Sequence, residues 1–332
     1  MVTLAILLVA GCSSQKADAP PPTIAAARAA DSPPVTDVPP GSVRPVPAGA
    51  LAAVVDPATR ALVVLSAEGP DRATMTVLGP GAGAAPVPLP GGATAMTSAG
   101  DGRVAVATRG AFFLVDVATR AVSRVPVTGH EDADFTAIAR RGDGRMVLGD
   151  AGGTVYTLTP DGGVAAALKI FARVDGIVTQ GDTAVVLDRG QTSVTSLNAD
   201  GTSAEHALRA GDGATTMAAD PNGRVLVTDT RGGELLVYGV DPLMLRQRYP
   251  VPDAPYGLTA SDDGKKSGLA WVSQTATNTV VGYDLATGIP VEKVRYRTVR
   301  QPNTLAFDDA SDTLYVVSGT GDGVQMIPGA SR

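Results

Sequence analysis

Three Arg-Gly pairs, at Arg109, Arg189 and Arg231, and the oxygen-bearing side chains of Asp132, Asp134, Asp175, Tyr256 and Asn303 are the groups best suited to chemistry. Three guanidinium groups brought together can clamp an anionic ligand through bidentate hydrogen bonds. Asp134, Asp175 and Asn303 could instead hold a hard divalent cation such as Ca²⁺ through their oxygens. The bland alternative is that each Arg-Gly decorates a solvated turn while the acids cap loops or pair with those arginines. His130, in Gly129-His130-Glu131-Asp132, offers a base beside the same groups, although a lone loop histidine is more often solvated. His206 belongs to an expected outer strand. No G-x-S-x-G, H-E-x-x-H or phosphate-cradling glycine loop occurs, and Asp229-Thr230-Arg231-Gly232-Gly233 reads as a tight turn. Trp271, alone and mid-strand, reads as core rather than as a platform for a quinone.

The remaining reactive group is Cys12, the only cysteine of the chain. It follows the apolar run Val2-Thr3-Leu4-Ala5-Ile6-Leu7-Leu8-Val9-Ala10-Gly11, about half the length needed to span a bilayer as a helix. Such a run ending in small residues fits a signal peptide. Val9-Ala10-Gly11-Cys12 has the form of a lipobox, in which the thiol takes a diacylglyceryl group after cleavage before Cys12. The basic residues that usually precede such a run are missing, so the true start is expected upstream. A lone cysteine leaves no disulfide or multi-thiol metal site to compete for the thiol.

From Cys12 to Gly41, Pro and Ala dominate. Such a stretch cannot bury enough surface to offset its ordering entropy, so a disordered, semi-extended tether is expected. The rest is rich in Gly, Ala, Val and Thr. The chain carries a net charge of −6 without a cluster of Lys or Arg, which argues against nucleic acid as a partner.

Positioning those dispersed groups requires a repeat. A short apolar strand, a turn and a stronger apolar strand recur seven times, the stronger strands beginning at 62, 104, 146, 184, 225, 269 and 314. Spacings near 40–45 residues are those of four-stranded propeller blades. Asp101-Gly102, Asp143-Gly144, Asn222-Gly223 and Asp263-Gly264 are expected to form type I′ hairpin turns. The prediction is an all-β, seven-bladed β-propeller over 42–332. The last blade lacks its outer strand, and 42–48, with Ser42-Val43-Arg44-Pro45-Val46-Pro47, is expected to supply it and close the ring. Loops leading into the inner strands and loops joining second to third strands then share one face. Asp134, Asp175, Tyr256 and Asn303 are thereby placed beside Arg109, Arg189 and Arg231 at the channel mouth.

Asp116-Val117-Ala118-Thr119-Arg120-Ala121-Val122 and Asp284-Leu285-Ala286-Thr287-Gly288-Ile289-Pro290-Val291 resemble the strand-turn-strand motif of YVTN/quinoprotein-like propellers. The stretches 135–140, 170–174, 187–195, 214–220, 231–242 and 283–295 resemble the mycobacterial lipoprotein LppL family. That resemblance covers nearly the whole chain, lipobox included; it implies a mycobacterial envelope and a propeller, and no particular activity.

The reading is a monomeric, non-catalytic binding scaffold without a cofactor, held by lipid at Cys12 on the extracytoplasmic face of the plasma membrane. Its partner would be an envelope protein or a small molecule. The alternatives are a metal-dependent, lactonase-like hydrolase, or a binder or sensor of a small anionic ligand at the channel mouth.

Overall fold

A computed structural model describes residues 22–332 except 82, 263 and 265–267. The expected signal peptide, Cys12 and the first part of the expected tether lie outside the described residues. Among the described residues, no helix is long and apolar enough to cross a membrane.

The alternation of small β-branched runs with glycine turns produces seven antiparallel sheets of four strands each. Six are built from consecutive strands, over 50–88, 95–126, 135–169, 176–209, 214–250 and 255–297. The seventh combines Pro302–Asp308, Thr313–Ser318 and Val324–Pro328 with Ser42–Arg44 from the other end of the chain. Ser42 lies opposite Met326 and Arg44 opposite Val324, so the N-terminal strand covers an otherwise open edge. The second strands begin at Leu62, Arg103, Met146, Thr183, Arg224, Leu269 and Thr313, each within one residue of its expected start.

The turns differ from expectation in one respect. Asp101 and Gly102 both adopt positive φ, as a type I′ turn requires. At Asp143-Gly144 and Asn222-Gly223 only the glycine does. There the glycine N–H returns to the carbonyl three residues earlier, Arg141 and Asp220 respectively, in longer hairpin loops. Asp263 lies outside the described residues.

Apolar side chains gather in seven clusters, one between each pair of neighbouring blades. The last joins the seventh blade to the first: Val46 packs with Leu62, Val64, Tyr315, Val317 and Val324. Trp271 is fully buried, with its indole stacked on Phe307 and Tyr296 at 5.8 and 6.3 Å. The inner strands of all seven blades surround one central channel.

Candidate functional site

The mouth loops are pinned by side chains at the ends of second strands. Asp188 accepts N–H bonds from Ala172, Arg173 and Gln191. Asp229 accepts them from Asp212, Gly213 and Gly232. Asp150 accepts from the Thr154 N–H and the Tyr156 hydroxyl, and Gln274 donates to the Pro252 carbonyl at 3.0 Å. A buried carboxylate satisfied by several amide donors is a rigid joint. These joints set the loops that lead into the inner strands of blades four, five and six. Sequence reasoning passed over them, although an Asp closing each apolar second strand is visible at 150, 188 and 229.

The channel encloses about 510 Å³. Asp175, Arg189, Tyr256 and Asn303 line it, together with Thr94, Thr136, Thr215 and small apolar residues of the inner strands. Arg109, Arg231 and Asp134 do not line it; all three are exposed on the surrounding rim. The main chains of Arg109 and Asp134 form an isolated β-bridge, which places the two at adjoining loops.

The channel-lining polar groups are largely committed to one another. Asp175 accepts from the Arg189 N–H at 2.8 Å and from Arg173 Nε at 3.1 Å. Asn303 Oδ1 accepts from Gln301 at 3.0 Å. Thr94 and Thr136 donate to the carbonyls of Phe135 and Val174 in the next blade, tying the inner strands together. The alternative oxygen cage of Asp134, Asp175 and Asn303 is not assembled. Asp134 stands outside the channel and Asp175 already serves two donors. Among the described residues, no three His, Cys, Asp or Glu side chains come together as a metal site.

Nor do the three arginines face the channel together: Arg109 and Arg231 stand outside it, and Arg189 and Arg231 both turn to one extended segment. Arg231 donates through Nη2 to the Ala25 carbonyl at 2.6 Å and through Nη1 to the Asp212 carbonyl at 2.7 Å. Arg189 donates through Nη2 to the Ala27 carbonyl. Both therefore hold residues of the stretch that composition assigns to a free tether. Over 22–41 that stretch lies against the ring instead. It passes from blade four to blade seven before entering the closing strand. Ile24 donates to the Gly190 carbonyl at 2.8 Å, Asn278 to the Pro33 carbonyl at 2.8 Å, and Gln325 to the Pro40 carbonyl at 2.9 Å. Arg297 pairs with Asp37 at 2.8 Å. The physical reason is that main-chain amides fastened by side chains of a rigid surface need no apolar burial of their own. Composition reports only the burial a segment can provide.

Two of the fastening residues, Asn278 and Gln301, are buried and sit at φ of 50° and 55°. Asparagine tolerates this region, but for glutamine it costs about 1–3 kcal/mol, set against the hydrogen bonds that Gln301 makes to Ala30, Ser32, Asn278 and Asn303. Sequence gives no sign of it, because nothing in Arg300-Gln301-Pro302 marks a left-handed residue.

His130 is half-buried, with its ring against Tyr156 at a centroid distance of 4.6 Å. Burial, and then the hydrogen bond to Asp150, pushes the Tyr156 phenol up from its ordinary value. His206 lies exposed on the outer strand Ala204–Arg209. Neither histidine lines the channel.

No protein-family model matches the chain, and no curated protein matches it. Solved structures do. A streptogramin B lyase superposes with a TM-score of 0.69 at 10% identity, covering 87% of this chain and 96% of that one. A chain of the mitotic checkpoint complex gives 0.72 at 11% identity, covering 92% and 99%. A chain from the complex of BBS1N with ARL6DN gives 0.68 at 14% identity, covering 88% and 97%. At such identities the likeness is one of fold: this chain is a seven-bladed β-propeller.

Proposed function

We propose that this propeller is a non-catalytic binding scaffold of the LppL type, anchored by lipid at Cys12 to the extracytoplasmic face of the plasma membrane. Its channel-mouth face is the recognition surface. One observation carries the reading. Mouth side chains that could have served anion binding, Arg189 and Arg231 foremost, direct their donors at the carbonyls of an extended chain. Asp175, the best-placed carboxylate, is held by Arg173 and the Arg189 N–H rather than left to act on a substrate. Two structural neighbours, from the mitotic checkpoint complex and from the complex of BBS1N with ARL6DN, are propellers found in protein complexes.

A photo-crosslinking residue at Tyr256, at the channel, tests the scaffold in its own envelope. The same residue at the exposed outer-strand position Glu205 is the control. A discrete protein adduct at Tyr256 and none at Glu205 is expected. Turnover of a lactone panel by the purified chain, lost on Asp175→Asn, would establish the hydrolase alternative instead.

The small-anion reading retains one specific support. Arg189 lines the channel, and its Nε is buried without a hydrogen-bond partner. A chloride, phosphate or carboxylate that raises the melting temperature of the intact chain, and no longer does so in Arg189→Lys, would favour that reading.

A further inference from the structure

Residues 24–33 occupy a trough on the mouth face that reads main chain rather than side chains. The Gly190 carbonyl accepts from Ile24 N–H. Arg231 and Arg189 hold the carbonyls of Ala25 and Ala27. Thr275 Oγ1 accepts from Ala30 N–H at 3.1 Å. Gln301 does two things at once: its Nε2 donates to the Ala30 carbonyl at 2.9 Å and its Oε1 accepts from Ser32 N–H at 3.0 Å. That pairing of a side-chain amide with alternate main-chain groups is how a neighbouring strand would read an extended peptide. Arg300 and Asn278 then take the carbonyls of Ser32 and Pro33 at 3.2 and 2.8 Å.

Three registers are selective. Ala27 is buried, and a Cβ added to Gly213 would stand 2.8 Å from the Ala27 Cβ, so the trough there admits only a small side chain. Ser32 is buried with its hydroxyl donating to the Thr275 carbonyl at 2.5 Å. Pro33 offers a carbonyl to Asn278 and, having no N–H, needs no acceptor. The intervening side chains of Ala25, Ala26, Arg28 and Asp31 are exposed and unread.

We propose that this trough is a binding site for an extended partner peptide with small residues and a serine-proline step. Residues 24–33 are then its intramolecular occupant, and they compete with the partner. The proposal rests on reading the mouth as a recognition face. Its site is built from Gly190, Gly213, Arg231, Thr275, Asn278 and Gln301, on blades four, five and six and the loops into blades five and seven, not from the segment itself. A tethered occupant acts at an effective concentration of order millimolar. A free peptide must therefore bind the intact chain much more weakly than a chain whose trough is open.

The test uses the full chain with Cys12→Ser and, as probe, a fluorescent peptide of residues 22–34. In a second form, residues 24–33 are replaced by a Gly-Ser linker of equal length. Fluorescence anisotropy should show binding to the linker form, at least about tenfold tighter than to the intact chain. Binding should be lost with a peptide carrying leucine at the position of Ala27, and weakened at least about tenfold by Arg231→Ala. A linker form that melts cooperatively yet takes up no peptide, or equal binding to both forms, overturns the proposal. Should the linker form fail to melt cooperatively, an environment-sensitive dye on Ala26→Cys in the intact chain decides. Displacement by millimolar peptide supports the site, and an unchanged dye signal sinks it. A retained photo-crosslink at Tyr256 with no peptide binding would refute the trough alone and leave the scaffold reading standing.

Discussion

Closing the ring with Ser42–Arg44 ties the stability of the last blade to the first residues of the folded part, and two truncations isolate that contribution. One form begins at residue 42 and keeps the closing strand. The other begins at residue 48 and loses it. Both lack the mouth segment, so its contacts cancel in the comparison. The deeper cut removes Val46 from the interface between the seventh and first blades, where burial of such a side chain contributes about 1.5–3 kcal/mol. It also removes three residues paired with Val324–Met326, at about 0.5–1.5 kcal/mol each. The expected loss is about 3–7 kcal/mol, an upper range because unfolded chains already bury some apolar surface. For a ring of this size that lowers the melting temperature by roughly 6–14 °C. Thermal unfolding followed by circular dichroism measures it. The exposed edge of Val324–Pro328 should also make the shorter form aggregate with rising concentration. Melting temperatures within about 2 °C of each other, with equal solubility, would refute closure as a stabilising feature.

Other outcomes follow from single residues. Gln325 is fully buried and donates to the carbonyls of Pro40 and Arg297 while accepting from Val299 N–H. Gln325→Leu should destabilise the fold by about 2–4 kcal/mol in urea titration, and a loss under about 1 kcal/mol would contradict this role. Asp229→Ala strips three N–H groups of one acceptor and should speed hydrogen exchange at Asp212, Gly213 and Gly232 while distant blades stay protected. Burial pushes the phenols of Tyr156, Tyr238, Tyr283, Tyr296 and Tyr315 up, Tyr283 to about 12. Because the unfolded value is about 10, this stability is whole below about pH 10 and is lost as pH rises from there through about 12. Phenolate absorbance from all seven tyrosines complete near pH 10, with native circular dichroism intact, would contradict that. Labelling with an alkyne palmitate analogue should mark the wild-type chain in membranes and be absent from Cys12→Ser; equal labelling of both would remove the anchor.

The blade count, the strand starts and the face that carries the polar groups were legible in the sequence. Each depends on short-range pattern: strand alternation, turn residues and a regular spacing. Asp175, Arg189, Tyr256 and Asn303 do meet at one channel because topology alone fixes which loops share a face. What each group bonds to was not legible. Arg189 and Asp175 are partners across one hairpin, and Arg231 meets a carbonyl 206 positions away. Nor did composition foresee that residues 22–41 would lie against the ring, since Pro and Ala lack the apolar surface that announces packing. The main-chain amides that fasten this segment are common to every residue type, so only the placement of Arg231, Thr275, Asn278 and Gln301 around a closed ring decides that it docks.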